Sequence, residues 1–285
     1  MAEKAPKKPH TLRIALAVLL TLAALFALLF ADSANRLVTT DYTVTSARLP
    51  ADFDGFRIVQ LSDLHAAEFG KDNARLMRAV AAAQPDLIVL TGDFIEAEDQ
   101  IPVTLALARQ LVPLAPVYFV SGNHDWASHA ISALFDGLAD AGVTCLRNEF
   151  VTLQRGAGSI VLAGVDDPNG LADMPKPDEV AAAVQAEHPG AFTVLLGHRN
   201  YWVGEYPTLP VDVILCGHAH GGVVRLPGVG GLIGTDRTLF PDYTAGMFAS
   251  GQYQMIVSRG LGQIAQLPRL LNNPEIVCLT LRTTN

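Results

Sequence analysis

Short apolar runs alternate along the chain with longer segments in which apolar residues recur at helical spacing. Eight runs are rich in β-branched residues and bounded by turn formers, which is typical of strands. The predicted strands are Arg57–Leu61, Leu87–Leu90, Val117–Val120, Ile160–Ala163, Phe192–Leu196, Val211–Cys216, Gln254–Val257 and Ile276–Leu281. The predicted helices are Asn73–Ala83, Ile101–Leu111, Ser128–Ala141 and Asp178–Glu187. This alternation, with several strands apolar on both faces, predicts one α/β domain whose sheet is covered on both sides.

The N-terminus begins with a polar, basic segment and continues with an uncharged run. Residues 1–13 carry the basic side chains, and Ile14–Ala31 then contains no charge over 18 residues. A bilayer-spanning helix needs about 17–25 apolar residues, whereas the apolar part of a signal peptide has about 7–15. No A-x-A cleavage site follows, because Ala31-Asp32-Ser33-Ala34 has the wrong spacing. We therefore interpret 14–31 as an uncleaved transmembrane signal anchor, with a cleaved signal peptide as the alternative.

The charges in front of this run predict its orientation. Lys4, Lys7, Lys8 and Arg13 lie before or at its start, and basic residues stay on the cytoplasmic side of a membrane span. The chain is then a single-pass protein of the cell membrane with an extracytoplasmic body. The predicted organisation is a cytoplasmic basic segment at 1–13, the anchor at 14–31, a linker and lead-in at 32–54, and one folded domain at 55–285.

Composition narrows the classes of partner. The chain has 20 Lys and Arg against 28 Asp and Glu, a formal net charge of −8. Because nucleic-acid binding depends on neutralising phosphates, we expect no nucleic-acid partner for so acidic a body. The three cysteines, Cys145, Cys216 and Cys278, are widely spaced and form neither a disulfide framework nor a cysteine-type zinc site.

Five predicted strands end abruptly in Asp, Asn or His. Their ends and the turns behind them read Ser62-Asp63-Leu64-His65, Thr91-Gly92-Asp93, Gly122-Asn123-His124-Asp125, Gly197-His198 and Gly217-His218-Ala219-His220. Ligands of open α/β sheets bind outside the carboxyl ends of the strands, so we expect these side chains in one crevice. Five of the eight histidines occupy these positions, which argues against a purely structural role for the set.

The residue types at these strand ends indicate a metal centre. Imidazole with carboxylate and amide oxygens suits borderline divalent metals such as Zn, Mn, Fe or Co, although the pattern does not select one of them. Seven or eight converging ligands are too many for one tetrahedral ion. The sequence therefore predicts two divalent metal ions.

The order of these motifs resembles that of the calcineurin-like metallophosphoesterases. The pattern Gly-His-Ala-His-Gly-Gly followed by Arg225-Leu226-Pro227, and later Ser258-Arg259-Gly260-Leu261-Gly262, is similar to a bacterial membrane-associated branch of that family. The resemblance covers roughly residues 55–281. It implies a layered α/β/β/α sandwich of the metallo-dependent phosphatase type, here preceded by one transmembrane helix.

The resemblance also implies roles for individual residues. Asp63, His65 and His220 would hold the first metal, and Asn123, His198 and His218 the second. Asp93 would bridge the two ions. His124 would lie beside the leaving group without binding metal, and Asp125 would orient it.

Two positions depart from the family pattern. Val223 stands where close relatives tend to have Gln, and Gly197-His198-Arg199-Asn200 replaces a more usual Ser-His or Ala-His with a following proline. These departures concern the surroundings of the metals and leave the expected ligands intact. Arg199 and Arg259 are either phosphate-binding residues or, for Arg259 in particular, partners of a carboxylate.

The function implied is hydrolysis of a phosphoester by attack of a hydroxide that bridges the two metals. We expect a phosphodiester, and a lipid-linked one first, because the tether keeps the site near the bilayer. One alternative is a metal-binding scaffold without catalysis, which the presence of Asp93, Asn123 and His124 argues against. The other is a nuclease of the same family, which the acidic body argues against.

Overall fold

Two six-stranded sheets pack face to face between layers of helices in the computed structural model, which describes residues 9–171, 174–263 and 268–284. The α-helices in these residues are α1 (Pro9–Asn35), α2 (Ala74–Ala82), α3 (Ile101–Leu111), α4 (Asn123–Ala127), α5 (Ile131–Asp140), α6 (Pro177–Glu187) and α7 (Trp202–Glu205). The strands are β1 (Val38–Ser46), β2 (Arg57–Leu61), β3 (Leu87–Thr91), β4 (Val117–Val120), β5 (Thr144–Cys145), β6 (Phe150–Arg155), β7 (Gly158–Gly164), β8 (Thr193–Leu196), β9 (Val213–Cys216), β10 (Arg225–Leu226), β11 (Gly230–Gly231), β12 (Gly246–Ser250), β13 (Tyr253–Val257) and β14 (Glu275–Thr283).

The first sheet has the strand order β1-β14-β2-β3-β4-β5, and the second has the order β12-β13-β9-β8-β7-β6. Strands β2, β3, β4 and β5 are parallel, and so are β7, β8, β9 and β13. Antiparallel pairing joins β14 to β2, β12 to β13 and β6 to β7, while β10 and β11 form a small separate hairpin. The strands that carry the predicted ligand motifs therefore lie inside the two sheets, and each is parallel to the next motif-bearing strand of its sheet.

Three hydrophobic cores hold the four layers together. The middle core lies between the sheets and joins, for example, Ile58 and Leu279 of the first sheet to Leu215 of the second. The first sheet packs outward against α2, α3 and α5, and the second packs outward against α6 and α7, where Trp202 is buried. Both faces of the central strands are covered, which explains their unbroken apolar sequence. The predicted α/β/β/α sandwich is confirmed.

The N-terminal helix α1 is longer than the uncharged run that predicted it. Its segment Leu12–Asn35 has a mean hydropathy of 2.8, is long enough to cross a membrane, and is not buried against the body. The end of the helix is bonded to the body, because the Ser33 hydroxyl accepts a hydrogen bond from the backbone N–H of Leu271 at 2.7 Å. The amide of Asn273 donates to the carbonyl of Asp32 at 2.9 Å.

The stretch predicted as a linker and lead-in contains an edge strand. Strand β1 starts three residues after the end of α1 and pairs in parallel with β14 over nine residues, from Val38 opposite Glu275 to Ser46 opposite Thr283. Its side chains are mostly half-buried or exposed, in an alternating pattern. The chain thus passes almost directly from the apolar helix into the first sheet, ahead of the expected domain boundary at residue 55.

Candidate metal centre

The predicted site residues come together where the carboxyl ends of the central strands meet. Asp63 and His65 follow β2, Asp93 follows β3, and Asn123 opens α4 directly behind β4. The second sheet contributes one histidine behind β8 and two behind β9, namely His198, His218 and His220. Because the sheets pack face to face with these ends on the same side, loops separated by more than 150 residues in sequence share one cluster.

The first of two ligand groups consists of Asp63, His65, Asp93 and His220. One nitrogen or carboxylate oxygen of each residue lies within 4.8 Å of the others. The Nε2 atoms of His65 and His220 are 3.1 Å apart, and His220 Nε2 is 3.3 Å from an oxygen of Asp63. Two carboxylates and two imidazoles aimed at one another at these distances define a volume suited to a cation.

The second group consists of Asp93, His198 and His218, again with ligand atoms within 4.8 Å of one another. His198 Nε2 lies 3.1 Å from Asp93, while its Nδ1 is 2.8 Å from the carbonyl oxygen of Thr91. That carbonyl accepts the Nδ1 proton, so the ring in its neutral form presents an unprotonated Nε2 to the cluster. Asp93 belongs to both groups, as expected of a residue between two ions.

Buried polar atoms without hydrogen-bond partners mark this second group. The side-chain oxygen of Asn123 and Nε2 of His198 are both buried, and neither has a hydrogen-bond partner among the described residues. An unsatisfied buried polar atom costs about 1–3 kcal/mol. Two of them at strand ends, beside carboxylates and imidazoles, fit the coordination of a divalent ion, so the residues present match the metals that the family pattern implies.

The electrostatics of the cluster also favour added positive charge. Burial raises the pKa of Asp63, and the neighbouring carboxylate of Asp93 adds to the rise. Burial alone would lower the pKa of His198, yet Asp93 and Asp63 raise it to about 10. By contrast, burial and the neighbouring His65 lower the pKa of His220, and burial and His198 lower that of His218. His218 and His220 are therefore neutral, as metal binding requires of imidazole, whereas the carboxylates around His198 favour a positive charge that a bound cation would supply instead.

The backbone of the ligand loops is strained. Five of the seven predicted ligands have positive φ angles of 46–69°, a region that residues with a Cβ atom seldom adopt: Asp63, His65, Asp93, His218 and His220. Gly92 itself has φ +83°, and a Cβ atom there would lie 2.6 Å from the backbone nitrogen of Gly122. The motif glycines therefore allow neighbouring loops to approach closely, and strain of this kind concentrates at functional sites.

His124 lies beside the first group, but its neighbours differ from those that the sequence analysis expected. The carboxylate of Asp125 accepts hydrogen bonds from the backbone N–H groups of four residues, at 2.8–3.1 Å: Asp93, Phe94, Ile95 and Gly122. Asp125 thereby ties the loop behind β3 to the start of α4. The acidic group nearest to the ring of His124 is Glu96, at 4.0 Å from Nδ1.

Glu96 is a site residue that the sequence analysis missed. Its carboxylate lies 3.0 Å from Nδ1 of His65, whose Nε2 faces the metal group. A carboxylate behind a metal-binding histidine fixes the tautomer and orientation of the ring. Contact with His65 lowers the pKa of Glu96, so it is ionised in this position. The spacing Asp93-Phe94-Ile95-Glu96, three residues beyond a predicted ligand, was the one available signal.

Two arginines complete the surroundings of the ligands. Arg269 is fully buried, donates to the carbonyls of Gly262 and Arg259 at 2.7 Å, and lies 3.3 Å from Nδ1 of His220. Burial lowers the pKa of Arg269 to about 10. No sequence motif pointed to Arg269, because it lies 49 residues beyond His220 and outside the family motifs.

Arg199 occupies the corresponding place beside the second group. Its guanidinium donates two hydrogen bonds to the carboxylate of Asp167, at 2.6 and 2.8 Å, and lies 3.1 Å from Nε2 of His218. Arg259, the other arginine considered for phosphate binding, pairs with the buried carboxylate of Glu275 at 3.0 Å. The carboxylate interpretation of Arg259 therefore holds.

Two cavities each include a histidine of the cluster in their lining. One, of about 370 Å³, is lined by His218, Arg199, Tyr201 and the segment 234–244. The other, of about 310 Å³, lies between His65 and the end of α1, where Ala34 and Asn35 form part of its wall. The cluster is thus accessible both beside the second ligand group and beside the helix junction.

Comparisons with known proteins agree with this geometry. Residues 56–222 match the profile of the calcineurin-like phosphoesterases. The chain is 32% identical over 257 residues to the uncharacterized metallophosphoesterase YkuE of Bacillus subtilis, covering 88% of this chain and 87% of that protein. It is 30% identical over 239 residues to the phosphodiesterase YaeI of Escherichia coli, covering 79% and 82% of the two chains. It is 25% identical over 285 residues to the UDP-2,3-diacylglucosamine pyrophosphatase LpxG of Chlamydia muridarum, covering 80% and 85%.

The chain belongs to the calcineurin-like phosphoesterase family. It is accordingly a metal-dependent phosphoester hydrolase, which confirms the family and the enzyme class expected from the motifs. Its Asp and His cluster is able to bind metal, and its N-terminal helix is a candidate membrane span.

Proposed function

We propose that the protein is a membrane-anchored phosphodiesterase that uses two divalent metal ions and acts on lipid-linked substrates outside the cytoplasm. One observation carries the proposal: the cavity at His65 is lined on its other side by Ala34 and Asn35, the last turn of the apolar helix. A catalytic cluster at the end of a candidate membrane span lies where the phosphate of a membrane lipid would be found. A lipid-linked phosphoester therefore fits this position better than a soluble one.

The proposed metal positions follow the two ligand groups. Asp63, His65 and His220 would hold the first ion, Asn123, His198 and His218 the second, and Asp93 both. Once bound, Mn, Zn, Fe or Co would supply Lewis-acid stabilisation of the phosphoryl oxygens and activate water. Sharing of one buried carboxylate by the two groups supports a coupled pair over two independent sites.

The chain's own residues supply the remaining chemistry. The ring of His124 is about two-fifths exposed and lies edge-on to His65, with ring centroids 5.0 Å apart. It is therefore the histidine of the cluster that can meet a leaving group and give it a proton. Glu96 lies within 4.0 Å of both rings and holds His65 in place from behind. Arg199, fixed by Asp167, lines the cavity into which the rest of a substrate would extend.

The membrane topology is part of the proposal. The basic residues before the apolar helix favour a cytoplasmic N-terminus and an extracytoplasmic catalytic body. Cleavage near Ala34 is the alternative, and the hydrogen bonds of Asp32 and Ser33 to the body favour an intact junction. Among the relatives, YaeI is named a phosphodiesterase and LpxG a pyrophosphatase of a diacylated glucosamine nucleotide, names that support both the bond type and the lipid.

The test uses the full chain in nanodiscs, stripped with a chelator and reloaded with one metal at a time. Bound metal per chain and hydrolysis are measured with p-nitrophenyl phosphate, bis-p-nitrophenyl phosphate, a diacylglycerol phosphodiester and DNA. We expect two metals per chain and faster hydrolysis of diesters than of the monoester. His198→Ala should lose hydrolysis with each of the metals tested. Two bound metals without hydrolysis of any ester would instead support the scaffold, and cleavage of DNA alone would support the nuclease.

A further inference from the structure

Most of the large apolar side chains exposed on the catalytic body are concentrated in three neighbouring segments. Outside helix α1, eight large hydrophobic residues of the described chain are exposed, and five of them belong to three segments close together in the fold. We call these five the apolar lip: Leu226, Val229, Leu239, Phe240 and Leu271. Val229, Leu239 and Phe240 are 60–71% exposed. A concentration of this kind on a soluble surface marks an interaction site.

The apolar lip is connected to the end of α1 by a series of hydrogen bonds. Leu271 donates its N–H to the hydroxyl of Ser33 in the last turns of α1, at 2.7 Å. Its neighbour Leu270 accepts a hydrogen bond from Arg225 at 3.0 Å, at the start of the β10–β11 hairpin. The lip therefore begins where the apolar helix meets the body.

The same ladder continues to the most exposed members of the lip. Leu232 donates to the carbonyl of Val224 at 2.8 Å, and Phe240 donates to the carbonyl of Leu232 at 2.9 Å. Each hydrogen bond joins neighbouring segments, so the segments that carry Ser33, Leu271 and Phe240 lie next to one another in the fold. The lip thus forms one surface with the helix end.

The back of this surface faces the metal centre. Gly234, Thr235, Asp236 and Thr238 lie within the segment that carries Leu239 and Phe240, and all four line the cavity beside His218. One short segment therefore has apolar side chains on its outer side and the wall of the catalytic cavity on its inner side. An occupant of the outer surface would lie next to the entrance of the site.

We propose that the apolar lip inserts into the surface of the lipid bilayer that α1 enters. The inference rests on the proposed membrane anchoring and adds a second, interfacial contact to it. Apolar side chains of monotopic contacts are buried about 5–10 Å into the boundary of headgroups and acyl chains. The occupant is lipid, because the lip is continuous with a helix whose uncharged run of side chains is itself exposed. Such a contact holds the cavity beside His218 against the membrane surface.

The proposal is tested on the full chain in vesicles of phosphatidylcholine and phosphatidylglycerol. Phe240→Cys is introduced with Cys145→Ser, since Cys216 and Cys278 are buried, and is labelled with an environment-sensitive fluorophore. We expect strong quenching by lipids that carry a nitroxide high on the acyl chain. The matched control is Gln154→Cys on strand β6, at the far edge of the second sheet, where the label should remain unquenched.

A second pair of variants tests whether the lip acts as a unit. With the label at Val229→Cys, the added changes Leu239→Ser and Phe240→Ser should abolish most of the quenching. The added change Leu114→Ser, at an exposed apolar residue outside the lip, should leave it intact. Hydrolysis of bis-p-nitrophenyl phosphate confirms that each variant is folded.

The outcomes separate the lip from the anchor. Retention of the protein in the membrane after an alkaline carbonate wash tests α1 by itself. If the protein is retained and the Phe240 label remains in water, the lip proposal is wrong and the anchoring stands. A Phe240 label shielded from water but not quenched by lipid would also overturn it, in favour of a protein partner. Quenching of Phe240 in a protein that the wash removes would support the lip while refuting the anchor.

Discussion

The two ligand groups that share Asp93 differ in the number of carboxylates they contain and in the side chains that contact their histidines. The first group contains two carboxylates, Asp63 and Asp93, with a third, Glu96, behind His65. The second contains one carboxylate, Asp93, with the two histidines His198 and His218. The number of charged ligands sets much of a site's affinity for divalent cations. From this difference we expect that, if the two groups each hold a metal as proposed, the first group binds its ion more strongly than the second.

The largest effect is expected where the two groups join. Asp93→Asn should lower the metal content toward zero and reduce hydrolysis to background, because both groups lose their common anion. Metal per chain is measured by mass spectrometry after gel filtration, alongside bis-p-nitrophenyl phosphate turnover. Asp136→Asn, on the exposed face of α5, is the matched control. Full metal content in Asp93→Asn would contradict the shared role.

His124 separates metal binding from proton transfer. His124→Ala should keep the wild-type metal content, yet lose about 10²–10⁴-fold in turnover on esters with poor leaving groups, which need a proton. The loss should shrink with p-nitrophenolate, which departs without one. His129→Asn, at an exposed position with positive φ, serves as the control. An equal loss on both kinds of ester, or a missing metal, would refute the role of His124.

Glu96 distinguishes the first group from the second. Glu96→Gln should weaken metal binding at the first position by about 10–100-fold, the usual effect of removing the partner of a metal-binding histidine. Metal affinity at the second position should be unchanged. The two binding phases of a metal titration followed by calorimetry should therefore lie closer together than in the wild type. The neighbouring change Glu98→Gln, at an exposed residue, should leave the titration as in the wild type. Weakening of both phases to the same extent would argue against two distinct positions.

The smallest effect is expected for a substitution of Arg199, beside the second ligand group. Arg199→Lys keeps a positive charge near His218 but loses the two-pronged contact with Asp167. We expect metal affinity at the second position to fall by less than the about 10–100-fold expected for the loss of a direct partner of a metal-binding histidine. KM should rise, with little change in kcat. Arg109→Lys, on the exposed face of α3, is the control. A large loss of kcat would mean that Arg199 stabilises the transition state directly.

The sequence was most informative where local pattern and chemistry coincide. The apolar strands before Asp63, Asp93 and His198 are short and buried on both faces, so composition alone revealed them. Their ends carry side chains whose chemistry suits metals, and the topology of parallel sheets brings such ends together. Local pattern was therefore enough to predict the α/β class and the members of the two ligand groups, while the α/β/β/α layers followed from the resemblance to the family.

Other features depend on contacts that no local pattern encodes. Strand β1 is an edge strand with alternating half-buried and exposed residues, and only pairing with β14 at the far end of the chain defines it. Arg269 reaches His220 through a loop, and Asp125 turns to the backbone of the β3 loop instead of to His124. These contacts arise from packing between distant segments, and single-sequence reasoning assigns such partners poorly.

The direct passage from α1 into β1 determines how far the catalytic body can travel. A flexible linker of the length expected for residues 32–54 would have an r.m.s. end-to-end distance of roughly 25–30 Å, and the body could move over that distance from its anchor. Instead, two residues separate the helix from a strand that is bonded to β14 along nine positions. Under the proposed anchoring, the metal centre would be carried at one height above the bilayer, and diffusion of the enzyme and its substrate would take place in two dimensions. The enzyme would then select substrates by the height of their phosphate above the membrane. The fold would set that height, independently of the residues that line the pocket.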